Sequence, residues 1–179
     1  MSIRGEMTEW AREVLADPAM VILDTETTGL RGYCCEIAVF DGEQFLLNTL
    51  VNPLAPVEPR AREIHQISDA ELSAAPVFAD ICPDLDKILS ERRVIVYDAE
   101  FDSAVINREL ERLGQSPLLY WCHPRSARRV MPGSWECAMR GYSDWYYDME
   151  GARFVKLNGG HRAGEDCKAV ISRLQEMAS

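Results

Sequence analysis

Three stretches of this 179-residue chain place acids where acids are costly. In VILDTETTGL, residues 21–30, Asp24 and Glu26 stand at i and i+2 at the end of an apolar run. Alternation along a strand points both carboxylates to one side. Two acids on one side of a buried strand need a cationic partner, and a hard cation with oxygen ligands supplies it. The alternative is an exposed strand-end pair. In VIVYDAEFD, residues 94–102, Asp98, Glu100 and Asp102 lie in a turn between a strand and a helix. Strand ends of α/β sheets are common ligand sites, while Asp98 and Glu100 equally suit helix capping. In NGGHRAGEDC, residues 158–167, the chain leaves a loop through Asn-Gly-Gly and sets His161 and Asp166 around a helix start. Alone, that pair reads as a solvated first turn. Together the three segments offer Asp24, Glu26, Asp102, Asp166 and His161, a set that matches two divalent cations and a general base.

The elements that must carry these residues follow from periodicity and turn chemistry. A first helix is predicted over residues 8–15 and a buried strand over 19–24. Residues 34–40 and 44–51 flank Asp41-Gly42, a hairpin signal of the type I′ kind, so the first three strands are expected to pair antiparallel. Three prolines make residues 52–59 a loop. A helical turn follows near residue 61, and Ser68 with Glu71 has capping-box spacing for the next. Helices are predicted over 76–89, with Pro83 inside, and over 100–113, ending at Gly114. Strands are predicted over 93–97 and 118–122. Residues 126–130 read as helical, 131–160 as aromatic and irregular, and the last helix spans about 163–177. A hairpin-rich half followed by strand–helix alternation is an α/β arrangement: one mixed sheet with helices on its faces.

VILDTETTGL, AREIHQIS, VYDAEFD and HRAGEDC together resemble, in order, the motifs of the DnaQ-like, DEDDh-type 3′–5′ exonucleases, from residue 21 to 167. The resemblance implies a ribonuclease-H-like fold, a five-stranded mixed sheet flanked by helices, and one exonuclease domain over residues 1–179. It implies a hydrolase of phosphodiester bonds that uses two magnesium or manganese ions. Asp24, Glu26, Asp102 and Asp166 would be the metal ligands and His161 the general base. Thr25, Thr27, Thr28, Gly29, Leu30, Ile64 and His65 would hold the 3′-terminal nucleotide. Three positions depart from the pattern. Asp98 stands where asparagine is usual, as an added acid near the site or as a cap. Gly164 stands where an apolar residue is common, which suggests a later helix start. His123-Pro124 falls where an aspartate is frequent.

Residues 134–154 hold Trp135, Tyr142, Trp145, Tyr146, Tyr147 and Phe154, with Arg128, Arg129, Arg140 and Arg153 nearby. Unpaired bases stack on such rings and phosphates meet such arginines; the competing reading is a core beneath an irregular loop. The formal charge of −10 argues against broad electrostatic binding of duplexes. The charge is uneven, with 8 basic against 20 acidic residues in 1–102 and 11 against 9 in 103–179. No apolar run reaches a membrane span and no signal core opens the chain. Six cysteines without a CxxC pair read as reduced thiols, which sets a cytoplasmic expectation.

The expected partner is nucleic acid with a 3′ end. Single-stranded DNA is the leading substrate and RNA the alternative, and no membrane is involved. Oligomeric state stays open, a homodimer included. A polymerase-associated proofreading subunit is a further alternative, weakened because only 13 residues follow Asp166, with docking through a surface still open. A catalytically silent binding module would not need four acids about one point.

Overall fold

The computed structural model describes residues 2–116, 120–122, 124 and 134–179. It opens with α1 (Ile3–Ala16), whose N-cap Ser2 accepts a hydrogen bond from the Gly5 N–H. That cap starts the helix earlier than residue 8. β1 (Met20–Thr27), β2 (Cys34–Phe40) and β3 (Phe45–Leu50) follow, then α2 (Pro59–His65), α3 (Asp69–Ala74) and α4 (Phe78–Leu89). The capping box of Ser68 and Glu71 is formed at α3, and Pro83 lies inside α4. β4 (Arg93–Val96) leads into α5 (Ala99–Arg112). The chain ends with β5 (Tyr120–Cys122), β6 (Ser134–Cys137), α6 (Ala138–Tyr147) and α7 (Ala163–Ala178).

The sheet order is β3-β2-β1-β4-β6-β5. β1, β2 and β3 pair antiparallel, while β4, β6 and β5 continue parallel to β1. The five-stranded mixed sheet of the ribonuclease-H-like fold is present as β3-β2-β1-β4-β6, with three-residue β5 added at the edge. The strand predicted over 118–122 is therefore that edge strand. The inner position belongs to β6, which lies in the stretch predicted to be irregular, and α6 occupies ten more of those residues. Four residues are too few for a period-2 pattern to show, and the aromatic run obscured the helix behind it. The helix predicted over 126–130 and His123 lie outside the described residues.

The hairpin between β2 and β3 forms, but not through a type I′ turn. Gly42 takes φ +98° and Glu43 has no positive φ, whereas type I′ needs both. The Asp41 carboxylate accepts the N–H groups of Glu43 and Gln44 and sets this turn instead.

Period-2 alternation assigns β1 to two cores. Ile22 faces α1, α6 and α7 with Trp10, Tyr142, Val170 and Leu174. Val21 and Leu23 face α4 and α5 with Phe78, Leu85, Val105 and Leu110. Continued two residues on, the same alternation sends Asp24 and Glu26 toward α7 and Thr25 toward α5. The sheet thus sorts the acids before any side chain chooses a rotamer.

Candidate active site

At the C-terminal end of β1, Asp24, Glu26 and Asp166 each offer a carboxylate oxygen, and these oxygens lie within 4.8 Å of one another. Asp24 is 9% exposed, and Glu26 and Asp166 are half-buried. Among the described residues no side chain donates a hydrogen bond to Asp24 or Glu26. Burial and then repulsion from Asp102, Asp166, Glu26 and Glu36 raise the Asp24 carboxyl well above its ordinary range. Burial, with Asp166 and Glu36 adding, pushes Glu26 up to about 8. Burial also raises Asp166, against the N–H groups of Gly160 and His161 that favour its charge. Among the described residues none of these three acids has an ion-pair partner, and an oxygen-seeking divalent cation fits them.

Asp102 stands beside this group and is not one of the three. It is 3% exposed, in the first turn of α5. One of its oxygens accepts both the Thr25 N–H, at 3.1 Å, and the Thr25 hydroxyl, at 2.6 Å. Burial raises it to about 7, opposed by the Thr25 hydroxyl and aided by the charge of Asp98. Asp98 itself is the N-cap of α5 and accepts the Phe101 N–H at 3.3 Å. Asp98 therefore caps α5 and also stands close enough for its charge to bear on Asp102.

His161 is exposed and sits at φ +57°, the left-handed region. Its N–H donates to Asp166 Oδ1 at 3.3 Å, which links the loop to the acid. Gly159 leaves room for the Asp166 carboxylate, which a Cβ at that position would displace. α7 begins at Ala163 and does not wait for a residue after Gly164. A Cβ at Gly164 would come within 3.1 Å of both Phe45 and Asn48, so glycine lets the helix start seat against β3.

The segments expected to hold a terminal nucleotide divide. Thr25, Thr27 and Thr28 are buried, with the Thr27 hydroxyl donating to the Gly29 carbonyl and Thr28 Oγ1 accepting the Tyr33 N–H. Gly29 lies under the Glu58 side chain. Leu30 is 83% and Ile64 44% exposed, which are large exposures for apolar side chains. His65 is buried, and burial lowers its pKa. Its Nδ1 accepts the Ile67 N–H, while Nε2 has no hydrogen-bond partner among the described residues.

Sequence reasoning missed Glu36. It lies on β2 directly across from Glu26 and is 5% exposed. Arg162 grips its carboxylate from Nε and Nη2, at 2.7 Å for the shortest contact. The same carboxylate accepts the Ala163 N–H at 3.0 Å, where N-cap Arg162 offers no side-chain acceptor to α7. Glu36 thus fastens β2, the neighbour of acid-bearing β1, to the loop bearing His161. The available signal was one charged residue inside the apolar run CCEIAVF, which demands a partner when buried. The aromatic readings split: Trp135 and Tyr142 are core at 1% exposure, while Tyr146, Tyr147 and Phe154 face solvent.

The described cysteines whose side chains are placed, Cys34, Cys35, Cys82, Cys137 and Cys167, are all free. Among the described residues no helix is long and apolar enough to cross a membrane.

The family model described as RNase_T, Exonuclease, matches residues 21–174. The "Uncharacterized exonuclease CP81" of Escherichia phage 186 is 30% identical over 195 residues, covering 99% of this chain and 97% of that protein. Exodeoxyribonuclease 10 of Escherichia coli (strain K12) is 34% identical over 116 residues, but the match spans only 48% of its length. DNA polymerase III subunit epsilon of Treponema pallidum (strain Nichols) is 28% identical over 94% of this chain and 80% of its own. Among solved structures, "Exonuclease X in complex with 5′ overhanging duplex DNA" superposes with a TM-score of 0.61 at 24% identity, over 88% of this chain and 90% of that one.

Proposed function

Since this chain belongs to the RNase_T exonuclease family, we propose that it removes nucleotides one at a time from the 3′ end of single-stranded DNA. The observation that carries this reading is the convergence of Asp24, Glu26 and Asp166 within 4.8 Å. The exonuclease unit is read as the whole span 1–179, and free cysteines fit a cytoplasmic setting.

Asp24, Glu26 and Asp166 would hold divalent cations through their carboxylate oxygens, and Asp102 would complete the set. When bound, two magnesium or manganese ions supply an activated water and relieve charge on the phosphate under attack. Thr25 fixes the Asp102 rotamer from both its N–H and its hydroxyl. His161, exposed beside Asp166, takes the proton of the attacking water on an imidazole nitrogen. Its bond to Asp166 and the Glu36–Arg162 clasp aim it from the backbone. Exposed Leu30 and Ile64, with buried Thr27, Thr28, Gly29 and His65 behind them, form the wall for the terminal nucleotide.

The test is a timed digestion of 5′-labelled single-stranded DNA and RNA of one sequence, with magnesium, with manganese and with a chelator. A ladder shortening from the 3′ end, lost with chelator and in Asp24→Asn, is expected. No ladder with either metal contradicts the reading, and a faster RNA ladder replaces the substrate. The likeness to polymerase III subunit epsilon supports a second reading, a proofreading partner of a polymerase; co-purification with a polymerase activity tests it.

A further inference from the structure

Residues 152–160, between α6 and α7, form neither helix nor strand, yet their backbone is pinned. The Ala152 N–H donates to Asp144 at 3.3 Å, and the Val155 N–H donates to Ser143 at 3.1 Å. The Val155 carbonyl accepts the Tyr97 hydroxyl at 2.6 Å. Val155 and Leu157 pack inward on the α1–α6–α7 core. The residues between and beyond them, Phe154, Lys156 and Asn158, are exposed. This inside–outside alternation is that of a strand without a neighbour. It presents a ring, a cation and an amide in a row that ends at His161.

Phe154 is 54% exposed, and the Arg140 guanidinium lies 5.0 Å from its ring centroid. Arg140 is paired at 3.4 Å with Glu100, which is two residues from Asp102. The near end of the row is therefore His161 and the far end touches the turn that carries Asp102. A lone exposed phenylalanine needs no explanation. A ring backed by a guanidinium, followed by an exposed lysine on a pinned strap beside an acid cluster, has the chemistry of a single-strand track.

Resting on the exonuclease reading above, we propose that residues 152–160 carry the single-stranded tail upstream of the bond that is cut, with a base stacked on Phe154 and a phosphate met by Lys156. Lys156 lies five positions before His161, a reach of at most roughly 17 Å. At a spacing of ~3.4 Å per nucleotide, and more in a stretched strand, the phosphate lies within about five nucleotides of the scissile bond. The track gives a preference for polymers over mononucleotide esters without reading sequence.

The experiment compares kcat/KM on a single-stranded DNA oligonucleotide with that on the p-nitrophenyl ester of thymidine 5′-monophosphate, which has no upstream tail. Phe154→Ala is expected to lower the ratio of the two about tenfold, the effect of one lost stacking contact. Lys156→Ala is expected to reduce the salt dependence of the oligonucleotide reaction by the share of about one phosphate contact. A ratio within twofold of wild type in Phe154→Ala, or a proportional fall on both substrates, overturns the track. A wild type that cuts neither substrate refutes the exonuclease reading instead. In that case anisotropy of a labelled oligonucleotide decides the track, which requires weaker binding in both variants and fails if neither weakens it.

Discussion

Two buried groups of acids in this protein are built on opposite principles. Glu136 on β6 is 3% exposed and fully partnered. Arg93 grips it at 2.6 and 2.9 Å, and the Trp10 indole N–H donates at 2.6 Å. Asp24, also buried, has acids for neighbours and receives no side-chain hydrogen bond from the described residues. The first group is closed by the chain itself and holds α1, β4 and β6 together. The second is left open to a charge that the chain does not encode. Burial alone therefore does not mark a candidate functional acid; burial among other acids, without an ion-pair partner among the described residues, does.

The sharpest way to break the comparison is to neutralise one acid of the open group. Asp24→Asn is expected to lower kcat by at least about a thousandfold, measured as initial cleavage rate in magnesium, while raising the melting temperature of the metal-free protein. Retained activity would end the assignment of Asp24. The closed group should behave in the reverse way. Glu136→Ala leaves Arg93 with the longer Asp17 contact at 3.8 Å and is expected to cost about 3 kcal/mol of stability, read from denaturant unfolding, independent of metal. Glu36 lies between the two cases, since its charge is partnered but its partner aims the site. Glu36→Gln keeps an acceptor for Ala163 and weakens the Arg162 grip. It is expected to lower kcat about tenfold through misplacement of His161, with a small change in oligonucleotide KM. The smallest effect is expected for Asp98→Asn. Asparagine caps as well as aspartate, so unfolding free energy should stay within about 0.5 kcal/mol; a larger loss would show that the charge of Asp98 matters beyond the cap.

This contrast also explains what could be read from the residues alone. Asp24 and Glu26 were legible because period 2 at a strand end fixes their common side without any tertiary knowledge. Asp102 and Asp166 were legible through strand–turn–helix signals and the family motifs. The role of Glu36 was not, because its partner Arg162 lies 126 positions away and no local pattern links them. β6 was hidden for a related reason: its register against β4 is a long-range choice, and SWEC is too short to announce itself. The hairpin was legible and its turn type was not, since the Asp41 side chain overrode the backbone preference of Asp-Gly.

The open group also predicts a pH signature. Burial and repulsion raise Glu26 to about 8 and Asp102 to about 7 in the folded protein, whereas both titrate near pH ~4 in an unfolded chain. The folded state then binds more protons than the unfolded one. The stability this lends is complete below about pH 4 and is lost as pH rises through about 7 to 8. A cation that replaces those protons restores it.

The most direct test is the melting temperature of wild type and Asp24→Asn at pH 5 and pH 8, with chelator and with excess manganese. In chelator, wild type should melt lower at pH 8 than at pH 5. Manganese at a hundred times its dissociation constant should recover about 2.7 kcal/mol at pH 8, or roughly 5–10 °C for a chain of this size, and Asp24→Asn should keep a smaller fall, from Glu26 and Asp102, and lose the recovery. Equal manganese shifts in the two proteins, or none in wild type, would contradict a cation site built on Asp24.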